Sequence, residues 1–361
     1  MNILGMTFEE LQEYMKKLMQ PDFRAEQVFA WLHKGMSPQE MSNIPNDLRE
    51  LLAKNYSASK TMDASLILSQ NAVKFLNQVS DGNVVESVLM KYKYGNTLCV
   101  STQAGCRMNC AICASGLTGL QRNLTAAEMV SQVINVNKSL GTGGEEHFRV
   151  TRNIVMMGSG EPLDNYDEVV QFIRIITHEK GINFSARNIS VSTCGLADRI
   201  IDLAGEGLPV TLCVSLHSPI DRVRKIIMPI TKKYPVKELI DAIKIYIEQT
   251  GRRVIIQYTL IDGLNDSLEQ AKELVDLLKG LQCHVNIIRY NHIEELPWEA
   301  SPQKNIDAFV KGLAPLSVSV RRKLASDIDG ACGQLRLKHM QENGQPDAEE
   351  DDEGEAFEYY G

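Results

Sequence analysis

The sequence predicts an α/β protein: a partial (β/α)6 barrel with a small helical domain before it and a C-terminal extension after it. Three observations predict this. From Thr97 onward, strand and helix patterns alternate six times, and repeated βα units imply a parallel sheet covered by helices. Six units suit a partial barrel better than the complete eight-unit form. Before that point, residues 1 to about 65 carry apolar side chains at spacings of three and four, interrupted by Pro, Gly and Asn, the pattern of short helices. Finally, a chain of 361 residues can bury a core that needs no disulfide or structural metal.

The elements follow in order. Helices are expected at Phe8 to Leu18, Ala25 to Lys34 and Pro45 to Lys54. Residues 66–96 read as a β-hairpin linker, with turn signals at Asp81-Gly82 and Gly95-Asn96. Period-two alternation there puts Val84, Glu86, Val88 and Met90 on one face. Glu86 is then a lone carboxylate among apolar neighbours, where burial disfavours the charged form. The barrel is expected over 97–340, with strands at Thr97 to Thr102, Asn153 to Met157, Asn188 to Ser192, Thr211 to Ser215, Val254 to Leu260 and His284 to Arg289. Helices are expected at Thr125 to Leu140, Tyr166 to Thr177, Ala197 to Glu206, Val236 to Thr250, Leu268 to Leu278 and Ser301 to Leu313. Residues 341–361 read as an acidic, disordered tail.

Charge is unevenly placed. The formal net charge is −8, but nine acidic residues and no Lys or Arg lie between Glu342 and Gly361, so the rest of the chain carries +1. A near-neutral body can still present basic clusters to a nucleic acid, because the field near a cleft matters more than the total. Arg222, Arg224, Lys225, Lys232, Lys233, Arg252, Arg253, Arg321, Arg322 and Lys323 each read singly as a solvated surface charge, and gathered around one cleft they would supply phosphate contacts. The longest apolar runs are far short of the roughly 20 residues that span a bilayer. The opening MNILGMTFEELQ has no basic or apolar leader region, so a cytoplasmic protein with no membrane partner is expected.

The strongest chemical signal is CRMNCAIC, where Cys106, Cys110 and Cys113 are spaced C-x3-C-x2-C just after the first barrel strand. Three thiolates on a short loop can hold three irons of a [4Fe–4S] cluster and leave the fourth iron open for chemistry. A structural zinc site would want a fourth Cys or His at short spacing, and the nearest downstream His is His147. A non-catalytic, zinc-containing RNA-binding protein is the alternative from another class.

The C-x3-C-x2-C loop and the strand NIVMM running into GSGEPLDN resemble the radical S-adenosylmethionine (SAM) enzymes. FRAEQVFAWLHKG, TLCVSTQAGC, VSTCG, VSLHSPIDRVRKIIMPITKKYP, NIIRYNHI and DIDGACGQL narrow the resemblance to the RlmN/Cfr family of radical SAM RNA methyltransferases, on its RlmN side, up to about His339. The sequence departs from the commoner pattern at Ser159, where GMGEP is usual, and at Cys194, where VSTSG is usual.

The resemblance implies a barrel of radical SAM type and an RNA-contacting role for residues 1–65. It implies that Cys106, Cys110 and Cys113 bind the cluster, and that Gly160, Glu161, Ser192, Ser215, Leu216, His217 and Asn291 bind SAM. Cys332 would carry a methyl group taken from a first SAM. A second SAM, cleaved to a 5'-deoxyadenosyl radical, would activate that group for addition to carbon 2 of an adenine. Glu86 would accept the ring proton, and Cys99 would release the product through a transient disulfide with Cys332. The implied partners are 23S rRNA, tRNA and an electron donor such as flavodoxin or ferredoxin. Methylation at carbon 8, the Cfr-type outcome, is the nearest alternative.

Overall fold

The computed structural model describes residues 2–56, 60–140, 150–321, 328, 330, 331, 333–335 and 337–338, with backbone only for 60–66 and 337–338. Cys332, Arg322, Lys323 and the acidic tail lie outside the described residues.

The chain opens with three helices, α1 (Phe8–Lys17), α2 (Phe23–His33) and α3 (Asn46–Ala53). A reciprocal cap starts α1: Thr7 Oγ1 accepts from Glu10 N at 3.3 Å while Glu10 Oε2 accepts from Thr7 N at 2.8 Å. Leu11, Met15, Val28, Phe29, Leu32, Leu48 and Leu52 are buried in one continuous core with the barrel helices. Apolar area leaving water is what holds the two parts together.

Four strands then form an antiparallel meander: β1 (Lys60–Ser69), β2 (Ala72–Gln78), β3 (Val84–Met90) and β4 (Thr97–Cys99). β1 crosses the boundary expected near residue 65. β3 is buried on both faces, so period-two alternation, which assumes one wet face, describes its neighbours incompletely. β5 (Gln103–Gly105) and β6 (Leu120–Asn123) form a small separate pair, and the three cluster-type cysteines lie between them.

Helix α4 (Ala126–Leu140) begins the αβ alternation, which continues through β7 (Asn153–Met156), α5 (Tyr166–Thr177), β8 (Ile189–Thr193), α6 (Ala197–Gly205) and β9 (Thr211–Ser215). It ends with α7 (Asp221–Ile227), α8 (Val236–Thr250), β10 (Val254–Leu260), α9 (Leu268–Leu278), β11 (Cys283–Arg289), α10 (Gln303–Gly312), β12 (Val318–Val320) and β13 (Leu337–Lys338). β4, β7, β8, β9, β10, β11 and β12 pair in parallel in that order. β1 and β12 end the path of the sheet, so the barrel is open, as expected. All six expected parallel strands are present. β12 is an unexpected seventh, and α7 an unexpected helix; both are too short to carry a clear period. β13 pairs with β3 at Val84 and Val85, the edge that β4 leaves uncovered. Among the described residues, no helix is long and apolar enough to cross a membrane.

Candidate active site

The C-terminal ends of the parallel strands surround a cleft of about 160 Å³, into which Cys106, Cys110 and Cys113 all face. Their loop is pinned from several sides. Cys106 N donates to Gly119 O at 3.1 Å, Ala111 N to Ile227 O at 2.8 Å and Ala114 N to Gly333 O at 2.7 Å. The Trp298 indole donates to Ala111 O at 2.6 Å and Ser115 Oγ to Leu335 O at 2.6 Å. No disulfide joins any of the seven described cysteines.

Burial pushes the Cys106 thiol up to about 12, with the Cys113, Glu161 and Asp164 charges adding to it. Burial first, then the two other thiols, lift Cys110 well above the ordinary range. A positive centre among these sulfurs would supply the charge that their thiolates lack, which is the setting a cluster needs. Among the described residues, no three His, Cys, Asp or Glu side chains converge closely enough to hold a single ion.

The GSGEP turn forms the next wall. Gly160 has φ +108, and a Cβ on it would come within 2.7 Å of Gln103 N; one on Gly158 would come within 2.7 Å of Ser101 N. Only glycine permits this approach of turn and sheet. The buried Glu161 carboxylate accepts from Leu163 N at 3.0 Å and Cys194 N at 2.7 Å. Burial raises its pKa above the usual carboxylate range, against the pull of these bonds. Glu161 thus ties the turn to the end of β8.

Ser192 and Ser215, from β8 and β9, both donate to Gln257 Oε1, at 3.4 and 3.3 Å. Asn291 lines the cleft beyond β11. Leu216 does not line the cleft: its side chain lies fully in the core, its N donates to Gln257 O at 3.1 Å and its carbonyl accepts from Ser218 N at 2.7 Å. His217 is held at φ +56, with Nδ1 accepting from Thr259 N at 2.9 Å and its carbonyl from Asn265 Nδ2 at 2.7 Å. Burial, and then the Arg224 charge, push its pKa down to about 3. The ring is therefore neutral, with its proton on Nε2 as a donor.

Sequence reasoning missed Gln257, whose signal was one amide inside the otherwise apolar start of β10, VIIQ. It also misplaced Arg224. As a basic residue beside Arg222, Arg224 is expected to be a solvated surface charge within reach of phosphate, but it is fully buried. Its guanidinium donates to Leu216 O at 3.1 Å, Thr231 Oγ1 at 2.6 Å, Cys194 O at 2.6 Å and Ser215 O at 3.2 Å. Arg222, Lys225, Lys232 and Lys233 remain exposed on the cleft side, in the connection after β9. Arg252 and Arg253 precede β10 and so lie at the opposite end of the barrel.

Glu86 and Cys99 do not line the cleft. They lie on the face of β3 and β4 where Ala72, Val88, Met90, Cys99, Ile328 and Leu335 form a second apolar cluster. Met157 borders both, packing on that cluster while lining the cleft. Lys74, also buried, stands 3.4 Å from Glu86, so the carboxylate is not alone among hydrocarbon as expected. Gly333, the residue after Cys332, lines the cleft.

Residues 100–278 match the radical SAM superfamily, and residues 1–57 match the ribosomal RNA large subunit methyltransferase N-terminal domain. The chain is 46% identical over 349 residues to the probable dual-specificity RNA methyltransferase RlmN of Clostridium perfringens (strain SM101 / Type A), covering 95% of this chain and 99% of that protein. This chain belongs to the RlmN family of radical SAM RNA methyltransferases. Another member, the probable dual-specificity RNA methyltransferase RlmN of Geobacillus kaustophilus (strain HTA426), is 43% identical over 346 residues, covering 94% of each protein. Of solved structures, a radical SAM methyltransferase from Sphaerobacter thermophilus superposes with a TM-score of 0.87 at 40% identity, covering 93% of this chain and 99% of that one. RlmN-family membership implies SAM and a [4Fe–4S] cluster, and the three thiols in a cleft walled by strand ends fit both.

Proposed function

We propose that this enzyme methylates carbon 2 of an adenine in 23S rRNA, and also in tRNA, using two SAM molecules per turnover and an S-methylcysteine on Cys332. The observation that carries the reading is the meeting of Cys106, Cys110 and Cys113 with Ser192, Ser215, His217 and Asn291 in one cleft, in a chain that resembles named dual-specificity RNA methyltransferases throughout.

Cys106, Cys110 and Cys113 would hold the cluster, and Gly160, Glu161, Ser192, Ser215, His217 and Asn291 would hold SAM. When bound, that pair supplies a carbon-centred radical, which adenine carbon 2 requires because it is electron-poor and carries a non-acidic hydrogen. The Nε2 proton of His217 and the hydroxyls of Ser192 and Ser215 are suited to the polar end of SAM. Glu86 accepts the ring proton, and Cys99 attacks the Cys332 sulfur. An S–S bond forms as the bond from Cys332 sulfur to the adenine-borne CH2 breaks, that carbon keeping the electron pair and taking up a proton as the product's methyl group. The adenine must leave its stack to reach the cysteine loop inside the cleft, so an unpaired nucleotide is the substrate. Residues 1–65 contact the RNA, residues 66–96 carry Glu86, and flavodoxin or ferredoxin delivers the electron.

Anaerobic reaction with 23S rRNA and tRNA, followed by nucleoside mass spectrometry, tests the reading. The expected product is 2-methyladenosine in both. 8-Methyladenosine would move the enzyme to the Cfr-type reaction, and zinc without iron in the purified protein would remove the radical reading.

A further inference from the structure

The three cysteines and Glu161 come from two separate segments, the loop 106–113 and the GSGEP turn, and a chain of side chains that does not line the cleft joins them. Asp164, three residues after Glu161, is its centre. Its side chain is 8% exposed, and its carboxylate accepts from Arg107 Nε at 2.8 Å and Gln103 Nε2 at 2.9 Å on Oδ2, and from Arg107 Nη2 on Oδ1. Arg107 directly follows Cys106, so the cysteine loop is gripped by a two-pronged ion pair, whose fork fixes direction as well as distance. Gln103 is fully buried. Its Oε1 accepts from Glu161 N at 2.9 Å, and its Nε2 also donates to Asn123 Oδ1 at 2.8 Å. Asp164 N donates back to Glu161 O at 3.1 Å. The ties from the loop to Gly119, Ile227, Gly333 and Trp298 go to other parts of the chain.

Stability alone does not account for Arg107. Its side chain is 61% exposed, and an ion pair with one partner in water adds little to folding. We infer that Arg107 and Asp164 are positioning residues for SAM: their pairing holds the cysteine loop at a fixed spacing from the turn that carries Glu161, so that the two halves of the SAM site stay in register. The inference rests on the reading of Cys106, Cys110 and Cys113 as cluster ligands and of Glu161 as a SAM contact. With the pair broken, loop and turn move independently, and SAM binding itself must fix their spacing, which costs affinity. Each of the two side chains acts through the segment it holds, as the outer partners of a metal site do.

The test compares the full-length, cluster-loaded wild type with R107M, R107K, D164N and R107M/D164N under anaerobic conditions, without reductant or RNA, so that SAM binds and is not cleaved. Equilibrium dialysis gives the Kd for SAM per loaded cluster, and iron content, melting temperature and RNA affinity are measured beside it. R107M should keep its iron and melt close to wild type, yet bind SAM about tenfold more weakly, the lower end of the range for outer partners of a metal site. D164N should lose a similar amount. R107K should fall between R107M and wild type, because an ammonium keeps the charge but not the fork. The double variant should lose no more than the more affected single variant, since the pair acts as one unit. Should D164N fail to fold, R107M and R107K carry the test. Unchanged SAM affinity in R107M, a fall in bound SAM that merely follows a fall in iron, or losses that add in the double variant would each overturn the inference. Weakened RNA binding with normal SAM binding would overturn it too, making Arg107 a phosphate contact. C110A and E161Q separate the two readings: iron kept by C110A, or SAM bound by E161Q as by wild type, would remove the reading of the site, whereas a weakened E161Q beside a normal R107M overturns only the role of the pair.

Discussion

Arg224 and Arg222 stand two residues apart in one basic run, yet one is an internal tie and the other a surface charge. On α7, Val223, Arg224 and Ile227 form the buried face, so helical spacing was the signal, masked by the brevity of the helix. R224M would strip donors from the carbonyls of Cys194, Ser215 and Leu216, which end β8 and β9 at the cleft. Leu216 O keeps the Ser218 N donor at 2.7 Å, so at about 1–3 kcal/mol for each of the two other carbonyls left unpaired, R224M should lose at least about 2 kcal/mol in denaturant unfolding, and R222M almost nothing. Equal stabilities would mean that the buried guanidinium is not a structural tie. The cluster cysteines give a separate expectation: C106A, C110A or C113A should each purify without iron and without SAM cleavage, and retention of four irons by any of them would remove that residue from the ligand set.

Among the elements, the helices of ten residues or more and the seven-residue strands β10 and β11 were legible because their periods repeat, whereas the short strands β4 and β7 were legible from the longer apolar stretches TLCV and NIVMM. β12 and α7 were not, because three or seven residues offer too few repeats. Nor did the pattern of β3 reveal that both its faces are buried, since the covering residues Ile328 and Leu335 lie far along the chain. A contact network of the same kind joins the β2–β3 turn, β6 and α4. Arg122 there pairs with Asp81 at 2.6 Å and Glu128 at 2.8 Å, and Ser80 N donates to Glu128 at 3.0 Å. Burial would raise Glu128, but bonds from Arg122, Ser80 and Thr125 outweigh it and hold the carboxyl down at about 2. Its folded value lies below its unfolded one of 4.5, so its contribution is complete above about pH 4.5 and is lost as pH falls toward 2. The stability gap between wild type and E128Q should therefore be flat at neutral pH and narrow by about 3 kcal/mol across that acidic window. A pH-independent gap would show that Arg122 and its neighbours do not favour the charged form.

At the scale of the whole molecule, charge is divided between a body of +1 and a tail holding nine acidic residues. The division was plain in the sequence, as were the barrel and its cysteine loop; the buried pair of Lys74 and Glu86 was not, because it joins positions twelve residues apart through strand register. Deleting residues 342–361 changes the formal net charge from −8 to +1 and removes no residue placed in the cleft or the core. Unfolding of the truncated protein should thus remain cooperative, with iron content and melting temperature unchanged. RNA binding should respond differently. Like charges on tail and phosphate repel over a Debye length of about 10 Å at 0.1 M salt, shrinking to about 3 Å at 1 M. The truncated protein should bind RNA more tightly than the full chain at low salt, and the two affinities should converge as salt rises and contacts between protein cations and phosphates weaken for both. Fluorescence titration of labelled RNA over a salt series measures this. Equal affinities at every salt concentration would show that the tail exerts no field on the RNA, and a loss of cooperative unfolding would show that it is part of the packed structure.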